Sequence, residues 1–202
     1  MKNVAILLSG RGSNFLALSD AIKAGKIPAR IVLVVSNKSD APGLTHARER
    51  NYEAVCVPSA GIEREAYDRQ VVEELKARQV DVICLAGFMR LLSSWFVQQY
   101  PRQILNIHPS LLPAFPGLHS QKQALEWGAK VSGCTVHFVD EKLDHGPIIV
   151  QRSVPVLDED TEDTLSARIL EQEHQIYPEA LQLFAEGRVK VTNNIVKIID
   201  KV

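Results

Sequence analysis

The segment "NVAILLSGRGSNFLALSDAIKAG", residues 3–25, holds a strand, a turn and a helix in immediate succession. "NVAILLS" (3–9) is a continuous apolar run, the pattern of a strand buried on both faces. "NFLALSDAIKAG" (14–25) places Phe15, Leu16, Leu18, Ala21 and Ile22 largely on one helical face and ends at Gly25, with Pro28 beyond. "SGRGSN" (9–14) joins the two. Its glycines admit positive φ and close backbone approach, and the free amides of a helix start form an anion site to which Ser13 can add a hydroxyl. A dinucleotide loop needs glycine at 15, where Phe15 stands, and no Gly-Lys-Ser/Thr follows for a triphosphate. A single phosphate therefore suits the loop best, with a tight, ligand-free turn as the equally open alternative.

The same alternation continues outward. "RIVLVVS" (30–36), "EAVCVP" (53–58), "DVICLAG" (81–87) and "QILNIH" (103–108) read as strands, and 63–79 as a charged amphipathic helix. Val/Ile/Leu runs separated by helices predict a parallel sheet covered on both faces. Past residue 130 the pattern changes. "VSGCTVHFVD" (131–140) and "GPIIVQRSVPV" (146–156) lie too close for a crossover and predict an antiparallel hairpin. Residues 161–187 predict a long helix with Thr161 as N-cap, acidic residues in its first turn and a kink at Tyr177-Pro178. The tail, 188–202, reads as one short strand and a polar end. The expectation is one α/β domain over 1–202, Rossmann-like and mostly parallel, with a C-terminal antiparallel hairpin and a long helix.

Composition narrows the classes of function. Apolar residues make up 46% and charged residues 23%, ordinary for a soluble globular chain. With 23 basic and 24 acidic residues and no basic stripe, nucleic acid is not an expected partner. Cys56, Cys84 and Cys134 are odd in number and far apart, which suggests unpaired thiols in a reducing compartment. The N-terminal apolar run is too short for a signal peptide, and no run reaches the ~18 residues that span a membrane. A cytoplasmic location is expected.

The chemistry concentrates in "ILNIHPSLLPAFPG" (104–117). Strand positions i and i+2 share a face, so Asn106 and His108 converge on one spot before a proline-rich exit. Downstream, "VDEKLDHGP" (139–147) links the hairpin strands and supplies Asp144. An amide and an imidazolium donate to a developing oxyanion, and a carboxylate raises an imidazole pKa and relays a proton. No G-x-S-x-G stands in the chain, so the nucleophile is expected to belong to a substrate: acyl transfer between two bound molecules. The six histidines form no metal-ligand spacing, and no metal is expected.

These residues carry a resemblance. "SGRGSN" (9–14), "AGFMRLL" (86–92), "LNIHPSLLPAFPGLHS" (105–120), "TVHFVDEKLDHGPII" (135–149) and "EQEHQIYP" (171–178) occur in the order and spacing of the folate-dependent phosphoribosylglycinamide formyltransferases of purine biosynthesis. The likeness runs from Val4 to about Lys190. It implies the formyltransferase fold, with a phosphate-binding half over 1–100 and a catalytic and folate-binding half over 101–202. It implies 10-formyltetrahydrofolate as co-substrate, and as acceptor the glycinamide amine of 5'-phosphoribosylglycinamide. By the same resemblance Asn106, His108 and Asp144 are catalytic; Gly12, Ser13 and Asn14 hold the phosphate; and Glu173 holds the ribose hydroxyls. Arg64, Met89, Arg90, Leu91 and Leu92 border the folate, together with Asp140, Glu141, Lys142, Leu143, Asn106 and Asp144. The Leu112-Pro113 bond resembles one the family keeps cis.

Two positions depart from that pattern. Leu170 stands where several relatives carry a polar or basic residue, which leaves Arg11 to compensate at the phosphate. His145 stands where some have glycine and is expected to face solvent. The runner-up readings are a methionyl-tRNA formyltransferase and a formyl-folate hydrolase, whose additional domains are not expected here, and a non-catalytic binding module. The implied partners are small molecules, with the protein a monomer or homodimer and neither nucleic acid nor membrane bound.

Overall fold

The structure, a computed structural model, describes residues 1–200. β1 (Lys2–Leu8) passes through the glycine turn into α1 (Ser13–Lys23), and β2 (Ala29–Ser36), α2 (Pro42–Glu49), β3 (Ala54–Cys56) and α3 (Arg64–Ala77) follow. Then come β4 (Val82–Leu85), α4 (Ser94–Gln99), β5 (Ile104–His108) and α5 (Ser120–Glu126). β6 (Val131–Phe138), β7 (Ile148–Pro155), α6 (Glu162–Ala185), β8 (Val189–Thr192) and β9 (Ile195–Ile198) complete the order.

Among the described residues, seven strands form one sheet in the order β3-β2-β1-β4-β5-β6-β7. The pairs from β3 to β5 are parallel, whereas β5–β6 and β6–β7 are antiparallel. The chain winds outward from β1 through β2 to β3, then returns to place β4 on the other side of β1. That reversal leaves a crevice at the carboxyl ends of β1 and β4, where open α/β sheets bind ligands. The glycine turn leaves β1 there, and residues 86–92 leave β4 there.

Side-chain alternation sorts the core into two layers. Val4, Ile6 and Leu8 of β1 pack with Phe15 and Leu18 of α1 and with Leu165, Ile169, Ile176 and Tyr177 of α6. Ala5 and Leu7 pack on the opposite face with Tyr67, Val71, Val72 and Leu75 of α3 and Phe96 of α4. On β5, Leu105 and Ile107 belong to the first layer and Ile104 to the second. Asn106 and His108 share the face of Ile104 and continue it toward the crevice.

The predicted α/β order, the hairpin and the Thr161 cap are present; Thr161 Oγ1 accepts from Thr164 N in a reciprocal capping box. α6 is assigned continuously through Pro178, so the expected kink does not interrupt it. The tail holds two strands rather than one, since β8 and β9 pair antiparallel. α2, α4 and α5, with 8, 6 and 7 residues, were not foreseen. Cys84 and Cys134 are buried and Cys56 half-buried, all unpaired. The Leu112-Pro113 bond is cis.

Candidate active site

The end of β5 and the β6–β7 connection bring together the three residues expected to act. Asp144 Oδ2 lies 3.4 Å from His108 Nδ1, and both side chains are buried. Asp144 takes a left-handed φ of 47° and is held in place as Gly117 N donates to Oδ2 at 2.8 Å. His108 is anchored on its other side, where Nε2 meets the Phe115 carbonyl at 2.9 Å. A carbonyl only accepts, so Nε2 carries the proton and Nδ1 is the working atom. Neutral His108 offers a lone pair there, and protonated His108 offers an N–H beside a carboxylate.

Asn106 meets a residue that sequence reasoning considered only as a metal ligand. Its Nδ2 lies 3.1 Å from His137 Nε2 on β6, the partner strand that pairs Asn106 with His137 in register. His137 Nδ1 faces the Phe138 carbonyl at 2.8 Å, so the proton sits on Nδ1 and Nε2 accepts from Asn106. Burial lowers the His137 pKa and keeps the ring neutral, which preserves that acceptor. The amide is thereby oriented, with its second hydrogen still available. His137 Nε2 also lies 3.8 Å from Asp144 Oδ1, closing a four-residue cluster. No local signal in the sequence marks this pair, because it depends on which β6 residue the antiparallel register sets opposite Asn106.

The glycine turn provides a second feature. Gly12 is the N-cap of α1 in a left-handed conformation (φ 77°), without a side-chain cap, and the first turn carries no acidic residue. A Cβ at Gly12 would come to 3.0 Å from Gly43 Cα, so glycine suits a close backbone approach as well as the positive φ. The start of α1 thus keeps free amides and an unopposed dipole. Asn14 turns inward, and its Nδ2 donates to Glu173 Oε2 at 2.7 Å, leaving Asn14 Oδ1 without a partner. Burial pushes the Glu173 carboxyl up to about 7, with the Asn14 bond opposing the shift. One turn along α6, Tyr177 donates to the carbonyls of Leu85 and Leu105. Arg11 is exposed beside the turn, and Leu170 is half-buried on α6.

The expected folate-bordering residues form a strip and a loop. Met89 (61% exposed) and Leu91 (53%) face outward, while Leu92 packs against the α3–α4 layer. Arg64 is exposed at the start of α3. The Arg90 guanidinium turns onto the Tyr67 ring, 4.4 Å from its centroid, and donates to Ser59 O at 3.3 Å. In the loop, Asp140 Oδ1 accepts from Lys142 N, Glu141 accepts from Gln98 of α4, and Leu143 is exposed. His145 is exposed, as expected, and its Nδ1 also pairs with Asp140 Oδ2 at 2.7 Å across the loop.

This arrangement can stabilise an oxyanion and move a proton, but it lacks a cysteine nucleophile. Burial pushes the Cys84 and Cys134 thiols up to about 12. Among the described residues, no group of three or more His, Cys, Asp or Glu could hold a metal.

Residues 2–181 match the family described as "Formyl transferase". The chain is 49% identical over 193 residues to the phosphoribosylglycinamide formyltransferase of Escherichia coli (strain K12), covering 95% of this chain and 91% of that one. The crystal structure of glycinamide ribonucleotide transformylase 1 from Symbiobacterium toebii superposes with a TM-score of 0.97 at 50% identity, over 99% of this chain and 95% of that one. A formyltetrahydrofolate deformylase from Pseudomonas syringae pv. tomato has a TM-score of 0.93 at 28% identity, over 98% of this chain and 66% of that one.

Proposed function

The chain belongs to the formyl transferase family, and from that premise we propose that it transfers the formyl group of 10-formyltetrahydrofolate to the glycinamide amine of 5'-phosphoribosylglycinamide. The products are the formylated ribonucleotide and tetrahydrofolate, a step of purine synthesis. The observation that carries this reading is the contact of Asp144 with His108 Nδ1 beside the oriented amide of Asn106.

The acceptor amine attacks the formyl carbon, forming a C–N bond and placing negative charge on the formyl oxygen. The free hydrogen of Asn106 and the protonated Nδ1 of His108 donate to that oxygen. Asp144 accompanies the imidazolium charge and, directly or through a water, carries the surplus proton from the attacking nitrogen toward N10 of the folate. The C–N10 bond then breaks as N10 takes the proton. The free amides at Gly12, Ser13 and Asn14 receive the single phosphate, with Arg11 of the same turn as a side-chain cation, and Glu173 takes the ribose hydroxyls. The Met89–Leu92 strip and the 140–144 loop border the folate.

Because a deformylase shares the fold, the assay follows loss of the 10-formyl group by absorbance with and without the phosphoribosyl acceptor. Turnover that requires the acceptor is the expected result. Equal turnover without it assigns a hydrolase instead, and no turnover overturns the catalytic reading.

A further inference from the structure

Asp68, on α3 beneath the Met89–Leu92 strip, is 1% exposed. Carboxylates are seldom buried so completely unless they are paired, because burial costs the charged form its hydration. Burial raises the Asp68 pKa, against the lowering effects of Ser93 and the guanidiniums of Arg90 and Arg64. Its Oδ2 accepts from Ser93 N at 2.6 Å, while its Oδ1 has no hydrogen-bond partner.

Its location gives the carboxylate another use. Ser93 ends the strip and starts α4, where its Oγ accepts from Phe96 N at 3.2 Å. At the other end of the strip, Met89 N donates to Ser9 Oγ at 2.8 Å, and Ser9 Oγ donates to Asn37 Oδ1 at 2.6 Å. Between them, Arg90 stacks on Tyr67, the neighbour of Asp68 on α3. The strip's backbone is thus held at entry, middle and exit while Met89 and Leu91 stay exposed. Apolar side chains projecting from a pinned backbone form a preorganised wall for a flat ligand.

We propose that Asp68 is a positioning residue for folate binding, holding the Met89–Leu92 wall in register by accepting the Ser93 N–H. This rests on the reading above that the strip borders the folate. Asp68 touches no reacting atom, so its loss falls on folate affinity and leaves chemistry and the acceptor alone.

The test approaches the hydrogen bond from both ends. Asp68→Ala removes the acceptor. Ser93→Pro removes the donor at a position (φ −74°, ψ 158°) that proline can adopt. Asp68→Asn removes the charge and keeps an oxygen for Ser93. Steady-state constants for both substrates and the calorimetric Kd for tetrahydrofolate are measured below each variant's thermal transition. Asp68→Ala and Ser93→Pro are expected to raise the folate KM and the tetrahydrofolate Kd about tenfold or more, the scale of a lost charge-assisted hydrogen bond. kcat and the acceptor KM stay within about threefold, and Asp68→Asn restores the folate constants to the same margin. Unchanged folate constants in whichever of the first two variants folds overturn the proposal. So does a parallel loss in both KM values and kcat, or an Asp68→Asn variant as impaired as Asp68→Ala. Wild-type protein that neither binds tetrahydrofolate nor transfers formyl overturns the functional reading instead.

Discussion

Within the cluster, the decisive pairing is between one nitrogen of His108 and one carboxylate. Nε2 is committed to the Phe115 carbonyl, which leaves Nδ1, 3.4 Å from Asp144, as the nitrogen of His108 free to exchange a proton. Asp144→Asn keeps the shape and removes the charge. We expect kcat to fall by ~10²–10⁴ with little change in either KM, because the interaction is made mainly in the transition state. Adding His108→Ala to Asp144→Asn should cost much less than His108→Ala alone, since the two act as a unit. Steady-state constants for the two singles and the double decide this, and a kcat within about threefold of wild type for Asp144→Asn removes the carboxylate from the mechanism. The contact could be anticipated from strand alternation plus an Asp-rich connection. The tie from Asn106 to His137 could not, because it depends on which β6 residue the antiparallel register sets opposite Asn106. The pairing of Asn14 with Glu173, 159 residues apart, likewise exists only once α1 and α6 lie side by side.

Elements differ in how much of themselves they announce. α6 carries its own start signal: Thr161 caps Thr164 N, and Thr164 Oγ1 returns the bond to Thr161 N. Thr161→Ala removes one side of that box and should cost about 1 kcal/mol, within a range of roughly 0.5–2, read as a lower urea midpoint at constant m. Fraying should stop within the first turn, so formyl transfer measured below the transition is expected to be unchanged. The buried strands β1, β2 and β4 were visible as continuous apolar runs, and α1 and α3 as periodic faces. α2, α4 and α5 were not, because helices of 8, 6 and 7 residues complete barely two turns of periodicity. Their caps are informative only after their packing is known: Ser93 marks the start of α4, yet its partner is Asp68 on another helix. The second strand of the tail, β9, is four residues long and mostly exposed, and its branched IVKI run after Asn193-Asn194 is a strand signal too short to stand out from a polar end.

Across the whole molecule, two buried groups tilt stability in opposite directions with pH. Glu173 has its folded pKa raised from 4.5 to about 7, so its contribution is fully present below the unfolded value and is lost as pH rises through the folded one. His137 has its folded pKa lowered from 6.5, so its contribution is present above that value and is lost as pH falls through the folded one. Glu173→Gln removes the first dependence and keeps the second. The variant should therefore gain thermal stability relative to wild type between about pH 5 and about pH 8, with most of the change complete just above the folded Glu173 value. Thermal midpoints of both proteins across that range check the sign, and a constant difference would show that Glu173 does not titrate there. Glu173 also shares a helix face with Tyr177, which bridges the carbonyls of Leu85 and Leu105. Four residues of α6 thus set how far the start of α1 stands from the junction of β4 and β5. Deleting one residue between them would turn one side chain about 100° away from the other. Gln175 is exposed and can therefore change in identity, but the number of residues from 174 to 176 cannot change, and this stretch of chain is fixed in length.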